Sequence, residues 1–396
     1  MKSFAFAIAA CYKTAVFDMP RVAMQKAELI RILRSVLTQP TAPFKEKAVA
    51  SLVTSFCKAE GADVAMDPFG NLIARYRPAG RRKAGRVAFV AHMDHPGFEI
   101  VAAKGKTATA QWWGGVWKEY FEDAAVIVHE QGGVRGRVKK VTPVKGAPRR
   151  VETMELSLEK PVGVGSAGQW DLTPFEMRGD LVVTRSADDL CSVAMQLALL
   201  RELQRAQVPQ EVWLIFTRAE ENGFNGALAM LKEREIPDDL PLVSLETSKR
   251  LPGAEQGKGP VVRLGDRRSV FDTSLLYFME HCAAELAKHE KRFVWQRRVM
   301  DGGVCEASAF VAYGYMAAGI AFPLGNYHNM GDEPEDVGRF VLRPETVDMR
   351  DLVNGLKLMM EMCARIGERE RPLAVMKKEY ETRNRPYYRR LKETPL

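Results

Sequence analysis

The sequence predicts an α/β fold: a mixed, mostly parallel central sheet flanked by helices, interrupted by a small all-β domain. Three observations carry this reading. Continuous apolar runs such as Val87–Ala91 and Val212–Phe216 suit strands buried on both faces of a parallel sheet. Segments with helical apolar spacing alternate with those runs. Between about residues 104 and 178 the helical spacing vanishes, glycines become frequent and strand-like runs are short. The expected organisation is a discontinuous main domain over 20–103 and 179–366, an inserted β domain over 104–178, and a basic tail over 367–396.

The elements follow in order. Lys26 to Leu37 and Phe44 to Lys58 space their apolar residues as amphipathic helices do. Asp67-Pro68-Phe69-Gly70-Asn71 is a turn into a strand at Leu72–Tyr76, and the run Val87–Ala91 comes next. Within the insertion, Ala124–Val128 and Gly136–Val141 read as strands. Leu181–Val183 resumes the sheet. Leu190, Val193, Ala194, Leu197 and Leu200 then form a helical stripe behind Asp188 and Asp189. Val212–Phe216 and Leu242–Leu245 are strands, with a helix over 224–234 between them. Asp272–Glu290 is helical, Met316–Phe322 a strand, and Thr346–Ile366 a long closing helix.

Composition narrows the class. With 396 residues, 46% hydrophobic and 27% charged, the chain is globular and long enough for a large core without disulfide support. It has no run of about 18 apolar residues, so no membrane-spanning helix is expected. The six cysteines form no C-x-x-C pair, which excludes a zinc knuckle and a disulfide framework and points to a reducing cytoplasm. The net charge of +8 is local: Val134–Arg150 holds seven basic residues and no acid, and residues 367–396 hold nine bases against five acids. Tyr387 and Tyr388 stand beside Arg389 and Arg390, yet both basic stretches read as solvated surface, and a nucleic-acid partner is not expected. The first residues weakly imitate a lipoprotein signal ending at Cys11. A start at Met19 or Met24 fits at least as well.

Five polar clusters share one placement: each follows an apolar strand. They are His92-Met93-Asp94, Asp188-Asp189, Glu220-Glu221, Glu246 and His328. The carboxyl ends of strands in an open α/β sheet face the binding crevice, so these residues should converge. Two histidines with several carboxylates suit zinc, cobalt or manganese, and the absence of cysteine favours a catalytic over a structural site. Adjacent glutamates allow one to ligate while the other moves a proton. Each cluster alone also has a plain reading; Asp188-Asp189, for example, could simply cap a helix. His95, His129, His281 and His289 fall outside the pattern, and the last two read as surface residues.

The segments VAFVAHMDHPGFEI, SADDLCSVA, FTRAEENGFNGA, LVSLETSKR, QGKGPVVRLGD and GNYHNMGDEPE resemble, in order and spacing, the motifs of the dinuclear aminopeptidases of the glutamyl and deblocking type, within the zinc exopeptidase superfamily. The resemblance runs from about Gln25 to Ile366 and places the β insertion where that family carries one. It implies a hydrolase that removes N-terminal residues from peptides with two divalent metal ions, zinc first among the candidates. It assigns one metal to His92, Asp188 and Glu246, and the other to Asp188, Glu221 and His328, with Asp188 bridging. Asp94 would hydrogen-bond His92, and Glu220 would be the general base. The family's tetrahedral shells imply a homo-oligomer, up to a dodecamer.

Departures from the family pattern remove no metal ligand, and several touch the surroundings of the substrate. His95 stands where an acid is usual, Leu190 and Asn326 where arginines are usual, and Glu246 where the ligand is usually aspartate. Cys305-Glu306 replaces a Thr-Asp pair, and Glu306 is the candidate partner of a substrate α-amine. Two rival readings stay open. One is a deacylase or carboxypeptidase-like amidohydrolase, with Arg263, Arg267 and Arg268 in a loop able to hold a substrate carboxylate, although these also read as surface charges. The other is a metal-binding assembly protein without activity.

Overall fold

The structure, a computed structural model, describes residues 22–78, 80, 85–331 and 340–394. The signal-like segment ending at Cys11 and the start at Met19 lie outside the described residues. Helices α1 (Lys26–Leu37) and α2 (Lys47–Ala59) precede strands β1 (Asp63–Met66), β2 (Leu72–Tyr76) and β3 (Arg86–His92). Next come β4 (Gly97–Lys104), β5 (Thr107–Trp113), β6 (Ala125–Val128), β7 (Val134–Val144), β8 (Ala147–Leu158) and β9 (Ala167–Trp170). The chain returns through β10 (Glu176–Arg178), β11 (Leu181–Thr184), α3 (Ala187–Ala206), β12 (Glu211–Thr217), α4 (Asn225–Lys232) and β13 (Leu242–Lys249). It ends with β14 (Val261–Asp266), α5 (Thr273–His289), β15 (Gln296–Met300), α6 (Glu306–Ala312), β16 (Ala317–Gly325), β17 (Glu345–Asp348), α7 (Met349–Arg365) and α8 (Arg371–Glu393).

The main sheet has 11 strands, with the path β1-β2-β12-β3-β13-β16-β17-β11-β10 and β14 and β15 beside β16. Its centre, β12-β3-β13-β16, is parallel throughout. Those strands are buried along most of their length and carry apolar runs such as Val87–Ala91 and Val212–Phe216, because helices cover both faces. Helix α3 lies against β3 and β13 and also against α1 and α7. It is buried nearly all round, so its sequence shows an apolar core helix rather than a stripe. Helix α1 buries Leu29, Ile32, Leu33, Val36 and Leu37, the i, i+3, i+4, i+7 pattern of a covering helix.

The inserted sheet closes into a barrel in the order β4-β5-β8-β7-β6-β9, filled by Phe98, Trp112, Phe121 and Trp170 among others. Its first strand begins at Gly97, earlier than the boundary at 104, because Phe98 and Glu99 pair with Gly168 and Ala167 to close it. The basic stretch of β7 and β8 is matched by local acids: Arg137 and Lys139 pair with Asp123, Lys140 with Glu155 and Arg149 with Glu119. That arrangement partly neutralises the surface.

Three further expectations need correction. The helix expected over Thr346–Ile366 is a four-residue strand, β17, followed by α7, with the Asp348 side chain capping the helix start. Val261–Asp266 is a strand, so Arg263 is not on a loop; it is buried, while Arg267 and Arg268 are exposed. The tail is a helix, α8, which buries Pro372 and packs near its start on α5. No helix among the described residues is long and apolar enough to cross a membrane.

Candidate active site

The crevice has a simple cause. Strands β3 and β13 pair only from Ala88–Leu242 to Val90–Ser244, and beyond Ser244 they part. His92 ends β3, and Glu246 lies two residues past the split on β13. Glu220 and Glu221 follow β12, His328 follows β16, and Asp188 opens α3. All five clusters expected to converge do so, at the carboxyl ends of the parallel strands.

Asp188 sits between the two histidines. Its Oδ1 is 3.4 Å from His92 Nε2 and its Oδ2 is 3.6 Å from His328 Nε2. Glu221 Oε2 is 3.1 Å from His328 Nε2, and Glu220 Oε2 is 3.8 Å from His92 Nε2. The donor sets His92–Asp189–Glu246, Asp188–Glu221–His328 and His92–Glu220–Glu221 each lie within 4.8 Å. Asp189 is the less available aspartate, because its Oδ1 accepts from the Thr247 N–H at 3.0 Å and hydroxyl at 2.8 Å.

Several residues hold these groups in place. The Asp94 carboxylate accepts from the backbone N–H of Glu220 at 3.0 Å and of Glu221 at 3.1 Å. His92 Nδ1 is 3.2 Å from the Asp94 carbonyl oxygen and 3.5 Å from Asp94 Oδ1, so one aspartate braces a histidine and both glutamates. The Asp-Pro-Phe-Gly-Asn turn matters here as well. Asn71 Oδ1 accepts from Arg218 N–H, and Glu46 accepts from Ala219 N–H and the Arg218 side chain, fixing the loop that presents the glutamates. The ring of Tyr327 stacks on His328 at 3.7 Å, and the Gly115 carbonyl, from the loop after β5, is 3.3 Å from His328 Nδ1.

The site fits divalent cations. His92 Nε2, Asp188 Oδ1, Glu221 Oε1 and Glu246 Oε2 are buried and have no hydrogen-bond partner. Such atoms are expensive to leave unmatched, at about 1–3 kcal/mol each and more for charged groups. Burial, together with Glu246, Glu221 and Glu306, pushes the Glu220 carboxyl well above its usual range, against the pull of His92. Burial opposes a charge on His92, yet Glu220, Asp188 and Asp94 hold its imidazole well above the ordinary value. This is an excess of buried negative charge that cations would neutralise.

Beside Glu246 lies a cavity lined by Ser248, Arg263, Met300 and Tyr327. Arg263 is only 2% exposed. Its Nη1 donates to Ser248 Oγ at 3.0 Å, and its Nε has no partner. Glu306 is buried among Thr217, Asp94 and His92, and burial raises its carboxyl to about 7, opposed first by His92 and then by Thr217. It is not among the residues lining the cavity.

Sequence reasoning missed Glu345 and Glu46 and left His95 and Arg263 without a place in the site. His95 lies inside the site: Nδ1 meets the Asp188 carbonyl and Nε2 is 3.1 Å from Asn329 Oδ1. Glu345 and Glu46 give no motif signal, since each is a lone glutamate far from the ligands in sequence. Arg263 was visible only as one of three arginines. His281 is a correction too: it is buried on α5, not a surface residue, whereas His289 is exposed.

Known structures share this architecture. An aminopeptidase from the archaeon Desulfurococcus kamchatkensis superposes with a TM-score of 0.70 at 20% identity, over 87% of this chain and 97% of that one. The TET1 peptidase of Pyrococcus horikoshii, which can assemble into a tetrahedron or a large octahedral shell, gives 0.67 at 20% identity, over 85% and 99%. A TET aminopeptidase from a marine sediment thaumarchaeote gives 0.69 at 18% identity, over 86% and 97%. At these identities the likeness establishes the fold. Residues 70–332 match the M42 glutamyl aminopeptidase family, and the chain belongs to that family, as a metal-dependent hydrolase of the aminopeptidase type.

Proposed function

We propose that this chain removes N-terminal residues from peptides with two divalent metal ions, zinc by preference, held by His92, Asp188 and Glu246 on one side and by Asp188, Glu221 and His328 on the other. The observation that supports it is the convergence of buried, partnerless ligand atoms on one carboxylate, Asp188, with one oxygen toward each histidine. Bound there, the metals supply Lewis acidity and an acidified water near neutral pH.

The chain's own groups do the rest. Asp94 fixes the His92 ring and the backbone of both glutamates. Glu220, whose Oε2 is 3.8 Å from His92 Nε2, takes the water's proton and returns it to the nitrogen of the breaking amide. Glu221 is nearer His328 and is the ligand of the pair. The Arg263 cavity favours substrates whose first residue carries a carboxylate side chain, since a buried guanidinium without an ion pair among the described residues would be completed by one. Glu306, buried with a partnerless Oε1, is the candidate partner of the substrate α-amine.

The dodecamer and shells formed by structurally similar proteins support a homo-oligomer here, read by sedimentation. The five cysteines among the described residues are buried and free, which accords with a reducing cytoplasm.

The test separates the two glutamates. Glu220→Gln should keep about two metals per chain and lose activity by at least roughly 100-fold, while Glu221→Gln should lose metal. Loss of metal from Glu220→Gln alone would reverse their roles.

A further inference from the structure

Glu345 is fully buried and is the first residue of β17. In the sheet, β17 lies between β11, which leads to Asp188, and β16, which leads to His328. The carboxylate therefore stands where the two ligand segments leave their strands. Oε2 accepts from the backbone N–H of Ala187 at 2.7 Å and of Asp188 at 3.1 Å. Oε1 accepts from the backbone N–H of His328 at 2.8 Å.

Both receiving segments are irregular. Asp188 leaves the helical region, with φ −81° and ψ 108°, and His328 is left-handed, with φ 55° and ψ 32°. Neither satisfies these N–H groups through a helix turn or a ladder, and the Glu345 carboxylate supplies the acceptors. Among the described residues no Lys or Arg forms an ion pair with Glu345; the nearest basic atom is His95 Nδ1 at 4.0 Å. A buried carboxylate in that position is costly for folding alone. Its geometry is explained by what it ties together.

We propose that Glu345 is a positioning residue that sets the spacing of Asp188 and His328, and thereby the affinity of the metal site formed by Asp188, Glu221 and His328. The inference rests on the two-metal reading above. Chemistry makes the residue hard to replace. Glutamine presents an amide NH2 to one set of N–H donors, and aspartate is one methylene too short to reach both segments from the same backbone position.

The experiment measures zinc per chain in metal-buffered solution for the full chain, Glu345→Gln and Glu345→Asp, alongside cobalt titrations followed by visible absorption. Wild type should take up two equivalents. Both variants should bind the second equivalent about 10- to 100-fold more weakly, the usual effect of losing a group that orients a ligand, and weaken the first, which shares Asp188 but keeps His92 and Glu246, by less. Raising free zinc by that factor should restore the second equivalent and most of kcat. Metal-free variants should melt within a few degrees of metal-free wild type. Two equivalents bound with wild-type affinity by either soluble variant would overturn the proposal. So would a matching drop in metal-free melting temperature, which would make Glu345 a folding residue only. If Glu345→Gln is insoluble, Glu345→Asp, which keeps the charge, decides. A wild type that binds a single equivalent would instead sink the two-metal reading, and this inference with it.

Discussion

Replacing Arg263 with methionine tests the substrate preference through one side chain. Methionine keeps most of the apolar stem and removes the guanidinium. In the free protein that group donates one hydrogen bond to Ser248 and keeps a buried, partnerless Nε. A substrate carboxylate reaching it would form a desolvated, hydrogen-bonded charge pair. Removing one member of such a pair costs about 2–5 kcal/mol. At about 3 kcal/mol, with about 1.4 kcal/mol per tenfold, kcat/KM for a peptide beginning with glutamate should fall by roughly 150-fold. A peptide beginning with leucine has no carboxylate to lose, and its kcat/KM should change little. The informative quantity is the Glu-to-Leu ratio of kcat/KM, measured with matched tripeptides on wild type and Arg263→Met, with melting temperature as the fold control. An unchanged ratio in the variant would refute the reasoning. So would a wild type that cleaves leucine- or lysine-initiated peptides faster than glutamate-initiated ones.

Two further predictions concern the scaffold. A Cβ on Gly355, in α7, would lie 2.4 Å from Phe322 Cε1 on β16, so Gly355→Ala should destabilise by about 1–3 kcal/mol despite alanine's better helix propensity; an unchanged or higher urea midpoint would contradict the packing. Burial first, then Arg185, lower the His129 imidazole from 6.5 to about 4, against a hydrogen bond to Gln169. Its folded value is depressed, so its contribution is fully present above pH 6.5 and is lost as pH falls toward 4. At about 1.4 kcal/mol per unit this is at most roughly 3 kcal/mol. His129→Gln should flatten the stability profile in that window, and an unaltered profile would count against it.

How much was legible in the sequence depended on where the signal was local. The central strands were readable because burial on both faces leaves continuous apolar runs, as at Val87–Ala91 and Val212–Phe216. The ligand candidates were readable because each follows such a run directly. The support around them was not. Glu46, Asn71 and Glu345 act across the fold on backbone N–H groups of loops far away in sequence, and no periodicity marks an acceptor of that kind. β17 has four residues and runs straight into α7, so helical spacing absorbed it and hid Glu345. Arg263 was misplaced for a related reason: β14 has a glycine, an arginine and an aspartate in six residues, and its burial comes from pairing with β15 and β16. His95 fell outside the strand-end rule by one residue, yet the same turn carries it into the site.

The central claim is that the converging histidines and carboxylates hydrolyse peptides from the amino end with bound metal. The most direct measurement is mass spectrometry of a peptide pool, each sequence present with a free and with an acetylated N-terminus, incubated with the zinc-loaded chain. The account predicts stepwise shortening of the free peptides from the amino end alone, abolished by chelator and restored by zinc. Loss of acetyl groups, shortening from the carboxyl end, or an unchanged pool with two metals bound would contradict it.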